Sequence, residues 1–337
     1  MNKEKILVTG AAGFIGSFLS KRLLSEGYEV IGIDNLNDYY SVELKKERLK
    51  NLISQKKFTF LKLDIADKEQ LFNLFKNHNF SYVIHLAAQA GVRYSIDNPD
   101  AYIKSNIIGT YNILEACRFY PVKHLLYASS SSVYGSNDKV PFSEDDFVDN
   151  PVSLYAATKK SNELMAHTYS HLYGIPATGL RFFTVYGPMG RPDMAYFSFV
   201  DKFFKSEAIH IYNNGDFEND MYRDFTYIDD IVEGIFRLMT KPPMELKTKH
   251  RVLNIGNNQP EKLMTFITTL EECLGKSLGK KTVFKKVFEN IKPGDVHKTY
   301  ADTTKLESII GFKPQTSIKN GLQAFTDWYV FYKKAES

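Results

Sequence analysis

The chain has 337 residues, which is enough for one large domain or two closely joined ones. Its formal net charge of +4 is small and its lysines are scattered, so no nucleic-acid partner is indicated, and its two cysteines, Cys117 and Cys273, indicate neither a disulfide framework nor a metal site. No apolar run approaches the roughly 18 residues of a membrane helix and the first apolar strand is too short for a signal peptide, so we expect a cytoplasmic protein without membrane association.

Short apolar runs alternate with segments of helical length through the first half of the chain. The predicted strands are Lys5–Val8, Glu29–Ile33, Phe58–Lys62, Tyr82–Leu86 and His124–Ser129. The predicted helices are Phe14–Glu26, Glu43–Ile53, Lys68–Lys76, Asp100–Phe119 and Leu154–Tyr173. Strict alternation of strand and helix implies an α/β fold with a parallel sheet and helices on both faces. Right-handed crossovers then make the sheet doubly wound.

The alternation loosens after Tyr173, where glycine–proline signals appear. The later predicted helices are Tyr196–Lys205, Asp230–Met239, Leu263–Leu274 and Ile318–Lys334. We expect residues 1–180 to form the sheet domain. Residues 181–337 are expected to form mainly a smaller lobe over the carboxyl edge of the sheet, where ligands bind in such folds, with some segments returning to the first domain.

A glycine-rich turn joins the first predicted strand to the first predicted helix. Gly10, Gly13 and Gly16 have the three-residue spacing that permits a tight turn and close approach of a pyrophosphate to a helix N-terminus. Asp34 ends the next strand, where its carboxylate can accept hydrogen bonds from both ribose hydroxyls and would repel a 2′-phosphate. The sequence therefore predicts a dinucleotide site that prefers NAD to NADP; an ordinary turn and a helix-capping aspartate are the alternative.

Two further strand ends fit the same crevice. Asp64 and Ile65 follow the third strand, where a carboxylate can meet the adenine amine, and small residues follow the fourth strand next to the dinucleotide. His85 is expected to be structural. The predicted cofactor residues are Gly10, Gly13, Phe14, Ile15, Gly16, Asp34, Asn35, Asp64, Ile65, Leu86, Ala87, Ala88, Tyr155 and Lys159.

Tyr155 and Lys159 are spaced i and i+4 on a predicted helix, so their side chains share a face. A free phenol has a pKa near ~10, and a neighbouring ammonium and the positive nicotinamide ring are expected to bring it towards neutral pH. Such a pair alone is common on helix surfaces. The hydroxyl cluster Ser130–Ser132 changes this interpretation, because it stands at the carboxyl end of the fifth strand, where the reactive ring of the cofactor would lie.

These motifs together resemble the extended short-chain dehydrogenases over nearly the whole chain. The resemblance rests on the glycine turn, Asp34, the serine cluster before Val133-Tyr134-Gly135, and Tyr155-x-x-x-Lys159. It implies a Rossmann domain in which Ser130 bonds the reacting oxygen, Tyr155 is the acid/base and Lys159 is its electrostatic partner. It also implies a homodimer formed by the two long helices, here Asp100–Phe119 and Leu154–Tyr173.

Two later segments resemble those that bind the nucleotide diphosphate in sugar-nucleotide epimerases of this family. They are Arg223–Asp230 and Pro293-Gly294-Asp295, and they imply substrate contacts from Arg223, Lys292 and Asp295. Two positions depart from UDP-galactose 4-epimerases. Thr184 stands where those enzymes carry Asn, and Lys292 where they carry Arg, which argues against UDP-glucose as substrate.

The serine cluster also bears on the reaction. Dehydratases and decarboxylases of the family typically carry an acid just after the catalytic hydroxyl, whereas this chain has Ser131 and Ser132, which favours simple oxidation and re-reduction at C4. Similarity is greatest to UDP-glucuronate 4-epimerases, in the segments 34–40, 90–94 and 190–195. It implies a UDP-sugar substrate whose carboxylate is held by Arg191, Ser131 and Ser132, with Arg93 as a further contact.

Three alternatives remain open at this stage. The substrate could instead be UDP-glucose, UDP-N-acetylglucosamine or its uronic acid. The reaction could be decarboxylation of UDP-glucuronate, which the missing acid opposes. A non-catalytic NAD-sensing scaffold is the third, and the Tyr155–Lys159–Ser130 set argues against it because a scaffold has no use for a phenolate.

Overall fold

The computed structural model of the protein describes residues 4–216, 220–290 and 298–336. Its strands in chain order are β1 (Lys5–Thr9), β2 (Glu29–Asp34), β3 (Phe58–Lys62), β4 (Phe80–His85), β5 (His124–Ser130), β6 (Ala177–Phe182), β7 (Thr184–Tyr186), β8 (Ala208–Tyr212), β9 (Tyr222–Tyr227), β10 (His250–Ile255), β11 (Pro260–Lys262), β12 (Lys285–Glu289) and β13 (Lys298–Thr299).

The α-helices in chain order are α1 (Phe14–Ser25), α2 (Val42–Ile53), α3 (Lys68–Asn77), α4 (Tyr94–Asp97), α5 (Pro99–Tyr102), α6 (Gly109–Phe119), α7 (Leu154–Tyr173), α8 (Ala195–Phe204), α9 (Ile228–Met239), α10 (Leu263–Leu278), α11 (Thr304–Ile310) and α12 (Ile318–Glu336). A π-helix at Ile103–Ile108 and a 3₁₀ turn at Ser131–Tyr134 complete the regular structure of the described residues. None of the helices in these ranges has the length and apolar character needed to span a membrane.

Seven parallel strands form the main sheet in the order β3-β2-β1-β4-β5-β6-β10. The chain runs outward from β1 to β3, crosses back, and continues from β4 in the other direction. The predicted doubly wound parallel sheet is therefore confirmed. The reversal between β1 and β4 opens a crevice at the carboxyl ends of these two strands, which is the usual ligand position in such sheets.

Apolar residues of the sheet pack against helices on both of its faces. One cluster includes Leu19 and Leu23 of α1, and the opposite cluster includes Phe75 of α3 and Cys117 of α6. A third cluster forms the core of the smaller lobe and contains Cys273. Both cysteines are buried and unpaired.

The seventh strand comes from the later part of the chain. β10 pairs with β6 in register from His250↔Ala177 to Ile255↔Phe182. The smaller lobe adds β11-β9-β13 with β7 on β9, and the separate pair β12-β8. No strand after Tyr173 was predicted, because these strands are short and most pair with segments distant in the sequence. The boundary between domains at residue 180 stays a prediction.

The predicted helix Asp100–Phe119 is confirmed as one helical segment, which runs through the end of α5, the π-helix and α6 without a break. The sequence did not predict the π-helix inside it. Asn106 inside the π-helix is buried and donates to the Gln89 carbonyl (3.1 Å) and to Thr158 Oγ1 (3.0 Å), while its own oxygen accepts from Gln89 N (2.8 Å). These bonds to α7 and to the loop after β4 accompany the wider turn; helical periodicity cannot reveal such tertiary contacts.

Candidate active site

A cavity of about 490 Å³ lies at the carboxyl ends of the sheet strands and has lining residues from both halves of the chain. This volume is within the range of small-molecule sites. The predicted residues that line it are Gly10, Gly13, Phe14, Ile15, Gly16, Asp34, Asn35, Asp64, Ile65, Leu86, Ala87, Ala88, Ser130, Ser131, Ser132, Tyr155, Lys159, Thr184 and Arg191. The fold thus brings the predicted cofactor, acid/base and carboxylate residues into one space.

The glycine-rich turn leaves its backbone bare towards this cavity. Gly10 has φ +70°, and a Cβ there would lie 2.8 Å from Ala87 N. At Gly16 a Cβ would lie 2.1 Å from the Gly10 carbonyl oxygen, so no other residue fits the turn. Gly13 is the N-cap of α1 and supplies no side-chain cap. The first amides of the helix are therefore available to an anion, as a pyrophosphate requires.

Asp34 stands at the end of β2 and faces this turn. Its Oδ2 accepts from Ala12 N (3.2 Å) and its Oδ1 from Leu36 N (2.8 Å). Burial raises the pKa of Asp34, while these two amides and the cations Lys45 and Arg48 oppose the rise. The carboxylate keeps lone pairs for further donors, which fits a pair of ribose hydroxyls.

Asp64, at the next strand end, is already partly engaged. Its Oδ1 accepts from Ala66 N (2.9 Å) and its Oδ2 forms an ion pair with Lys104 (3.2 Å). Burial acts to raise the pKa of Asp64, but these partners outweigh it and the net shift is downward. His85 is buried with both ring nitrogens bonded, Nδ1 to Thr9 (2.8 Å) and Nε2 to Thr110 (3.1 Å), as expected of a structural histidine.

The acid/base group Tyr155 is half-buried in the cavity wall beside the serine cluster. Burial raises the pKa of Tyr155; the Ser130 hydroxyl and the Arg191 guanidinium lower it, and Asp193 raises it. Ser130 Oγ accepts from Ser132 N (3.1 Å) and donates to Ser132 Oγ (3.2 Å), which fixes the hydroxyl cluster in the 3₁₀ turn.

Lys159 lies deeper than the sequence suggested. Its ammonium donates to the Ala128 carbonyl (2.8 Å) and lies 6.0 Å from the centre of the Tyr155 ring, and burial lowers the pKa of Lys159 to about 8. We expected this ammonium to favour the phenolate. The Arg191 guanidinium also lowers the pKa of Tyr155, and the electrostatic role of Lys159 stays a prediction.

A buried ion pair beneath the serine cluster was missed by the sequence analysis. Arg181 donates from Nε and Nη2 to the two carboxylate oxygens of Glu163, both at 2.9 Å, and Ser129 Oγ donates to Glu163 Oε1 (2.6 Å). This network ties β5 and β6 to α7, and so fixes Ser130 relative to Tyr155. A signal was present: Glu163 follows Lys159 by one helical turn and therefore lies on the same face of α7.

Arg191 already has a carboxylate partner inside the protein. Its Nε donates to Asp193 Oδ1 (3.0 Å) and its Nη2 to Asp193 Oδ2, and Tyr39 Oη donates to Asp193 Oδ2 (3.4 Å). Burial opposes the charged form, but Asp193 outweighs burial and keeps the pKa of Arg191 above its ordinary value. The sequence analysis missed Asp193, although it stands only two positions after Arg191 in a segment that was singled out.

Two of the predicted substrate residues that the structure describes, Arg93 and Arg223, do not line this cavity. Arg93 is exposed and its guanidinium lies over the Tyr212 ring at 5.6 Å. Arg223 donates to the Tyr222 carbonyl (2.8 Å) and does not line the cavity. Both contacts with a substrate stay predictions. Lys292 and Asp295 lie outside the described residues.

Comparison with known proteins gives the same family as the motifs. The model of the GDP-mannose 4,6 dehydratase family matches residues 7–325. Protein CapI of Staphylococcus aureus is 52% identical over 344 residues, covering 98% of this chain and 100% of CapI. The probable UDP-glucuronate 4-epimerase of Rhizobium meliloti is 45% identical over 342 residues, covering 96% of each chain.

Solved structures agree with this assignment. The crystal structure of UDP-glucuronic acid 4-epimerase from Bacillus cereus, in complex with UDP-glucuronic acid and NAD, matches with a TM-score of 0.85 and 34% identity, covering 97% of this chain and 99% of the other. The chain therefore belongs to the GDP-mannose 4,6 dehydratase family of extended short-chain dehydrogenases, together with the UDP-glucuronate 4-epimerases that it matches over nearly its whole length.

Proposed function

We propose that this protein is an isomerase that interconverts UDP-glucuronate and UDP-galacturonate by NAD-dependent epimerisation at C4 of the sugar. The observation that carries the proposal is the position of Arg191, which lines the same cavity as Ser130, Tyr155 and Lys159. A guanidinium beside the acid/base pair suits a sugar whose carboxylate is next to the reacting carbon. The similar epimerases from Rhizobium meliloti and Bacillus cereus support this choice of substrate.

The residues present fit NAD. The bare glycine turn and the uncapped N-terminus of α1 suit a pyrophosphate, and Asp34 suits the adenosine ribose. Bound NAD supplies reversible hydride exchange with C4 of the sugar. Lys159, held on the Ala128 carbonyl, contributes an ammonium group to the wall of the site.

The chain's own residues handle the proton and the charge. Tyr155 takes the proton of the 4-hydroxyl and later returns it, while Ser130 holds the same oxygen by a hydrogen bond. The 4-keto sugar is a β-keto acid, and it loses CO₂ when the bond to its carboxylate stands perpendicular to the carbonyl plane. Arg191, with Ser131 and Ser132, holds the carboxylate away from that geometry.

Product analysis tests the proposal directly. Purified protein is incubated separately with UDP-glucuronate, UDP-glucose and UDP-N-acetylglucosamine, and the sugars are separated. We expect UDP-galacturonate from the first and much slower turnover of the neutral sugars. A decarboxylated pentose as the main product would indicate a decarboxylase. Turnover of UDP-glucose alone would refute the substrate, and no turnover of any sugar would leave an NAD-binding scaffold.

We expect Asp34→Arg to weaken NAD and to admit NADP. The change removes an acceptor of the ribose hydroxyls, which as a charged hydrogen-bond partner contributes about 1.5–3 kcal/mol, and it supplies a partner for a 2′-phosphate. Dissociation constants of both dinucleotides for the apoprotein measure the effect. The exposed Asp138→Arg makes the same charge change away from the cavity and should alter neither constant. Wild-type protein that binds NADP better than NAD would contradict the role of Asp34.

We expect Asp193→Asn to shift the pH profile to lower pH. Asp193 raises the pKa of Tyr155 and Arg191 lowers it, so removing the negative charge leaves Arg191 unopposed and the pKa of Tyr155 falls. The phenolate then forms at lower pH, and the rising limb of kcat/KM against pH moves down. Asp138→Asn is the charge control. A limb that stays in place, or moves up, would show that Asp193 does not act on Tyr155.

We also infer a homodimer built on α7 and the helices α4 to α6 that contact it. Exposed apolar side chains mark this surface: Ile96, Ile103, Ile108, Leu164 and Leu172. Leu164 and Leu172 lie two turns apart on one face of α7. The homodimer and a cytoplasmic location both stay predictions.

Placing charges on that face should separate the subunits. We expect the double change Leu164→Glu and Leu172→Glu to give a monomer in sedimentation velocity, because two buried carboxylates without partners are costly at an interface. Val283→Glu, with similar exposure on the smaller lobe, should leave the dimer intact. A wild-type monomer, or a dimer that survives both changes, would place the interface elsewhere or exclude it.

A further inference from the structure

Arg48, in the second half of α2, joins two parts of the cavity wall that are far apart in the sequence. Its side chain is almost completely buried. Nε and Nη2 donate to the Met189 carbonyl (2.9 and 2.7 Å), and Nη2 also donates to the Gly190 carbonyl (3.0 Å). Nη1 donates to the Ala12 carbonyl in the glycine-rich turn (3.1 Å). One guanidinium therefore bridges the cofactor turn and the segment that leads into Arg191.

The chemistry of this contact is unusual for a buried arginine. The hydrogen bonds go to neutral oxygens, the fifth being to Tyr40 Oη (2.7 Å), and none of the ion pairs among the described residues includes Arg48. A buried cation without a paired carboxylate is costly, and an apolar side chain would pack α2 against the sheet at lower cost. The contacts to residues 189 and 190 are therefore best explained by what they position.

The segment before Arg191 needs such support. Between the end of β7 and the start of α8 it has no regular structure. Met189 adopts φ +55°, in the left-handed region that side chains disfavour. A Cβ on Gly190 would lie 1.7 Å from the Tyr196 hydroxyl, so this residue cannot move towards α8. Arg48 binds the carbonyl oxygens of these two residues.

Arg48 also contacts the glycine-rich turn on the cofactor side of the cavity. Ala12 is held on both sides: its N–H donates to Asp34 Oδ2 and its own carbonyl oxygen accepts from Arg48 Nη1. Arg48 also lowers the pKa of the Asp34 carboxylate against the larger effect of burial. Arg48 thus supports both Asp34, which is expected to bind the ribose, and the segment that leads into Arg191, which is expected to bind the sugar carboxylate.

We propose that Arg48 is a positioning residue that fixes the Met189–Gly190 backbone so that Arg191 is presented to the sugar carboxylate, and that it ties this presentation to the cofactor turn. The inference rests on the proposed function, in which Arg191 binds a uronate. Loss of Arg48 lets the segment relax, so the selectivity for a charged sugar is lost. A role in stability alone would instead weaken the binding of charged and neutral sugars equally.

The test measures dissociation constants of UDP-glucuronate and UDP-glucose for the NAD-loaded protein by calorimetry. We expect Arg48→Met to reduce the affinity ratio of the two ligands about 10-fold, which corresponds to about 1.4 kcal/mol. Arg48→Lys keeps the charge but replaces the forked guanidinium by a single ammonium, and should give a smaller reduction. Arg22→Met is the matched control, because Arg22 joins α1 to Glu233 outside the cavity.

A double-mutant cycle with Arg191→Ala separates positioning from stability. If Arg48 acts through Arg191, Arg48→Met should change the ratio no further once Arg191 is absent. Full additivity, or an unchanged ratio in both Arg48→Met and Arg48→Lys, would overturn the proposal. If Arg48→Met does not fold, the affinity ratio measured for Arg48→Lys decides the test. Wild-type protein that binds the two nucleotide sugars equally would instead refute the substrate on which the proposal rests.

Discussion

Tyr155→Phe should lower turnover of UDP-glucuronate about 10²–10⁴-fold, which is the usual contribution of a positioned acid/base. The change removes one hydroxyl from a side chain whose ring packs edge-on against Tyr102 at 6.0 Å. The ring contacts stay, so the fold and the NAD content should be unaffected. What disappears is the cavity-lining phenol that interacts with the Ser130 hydroxyl.

A second tyrosine on the same helix provides the control for this experiment. Tyr169 lies on α7 outside the cavity and its hydroxyl donates to Glu115 Oε1 (2.9 Å). Tyr169→Phe loses an equivalent hydroxyl and should keep a near-normal rate. Steady-state kcat, with bound NAD quantified for each variant, gives the comparison. Near-normal turnover in Tyr155→Phe would mean that another group moves the proton.

Arg191→Ala should have two separable effects. It should weaken UDP-glucuronate by about 1.5–3 kcal/mol, the contribution of a charge-assisted pair, and should leave UDP-glucose nearly unchanged. It should also release CO₂ and leave the cofactor reduced. The physical reason is that a freely rotating carboxylate samples the geometry perpendicular to the carbonyl, and a decarboxylated 4-keto pentose can leave before re-reduction. Absorbance at the NADH band and product analysis measure the second effect.

The ion pair with Asp193 complicates this variant and suggests its control. Removing Arg191 leaves the Asp193 carboxylate without its guanidinium, and Asp193 raises the pKa of Tyr155. Part of the loss in Arg191→Ala would then be a shifted pH profile. The double change Arg191→Ala with Asp193→Asn removes that charge. The loss of activity that persists at the pH optimum of the double variant is then due to the missing contact between Arg191 and the sugar carboxylate. Equal losses for both nucleotide sugars would assign Arg191 to the diphosphate or to loop structure.

The sequence by itself determined the features that depend on local spacing. Alternating short apolar runs and helical segments predicted the first five strands to within two residues at each end. Gly13 and Gly16 predicted a turn that admits no Cβ, because the obstructing carbonyl oxygen of Gly10 belongs to the same βα unit. Tyr155 and Lys159 predicted a shared helix face because the period of an α-helix fixes which residues are neighbours.

Only the tertiary structure decided what depends on segments that are far apart in the chain. Arg48 and Met189 are 141 residues apart, and no periodicity in either segment predicts that they meet. The same holds for β10 beside β6, for the π-helix around Asn106, and for the direction of the Lys159 ammonium. Local patterns therefore indicated which residues carry the chemistry. The charge around Tyr155 and the support of Arg191 depend on three-dimensional distance, because electrostatic and hydrogen-bond energies are set by separation in space.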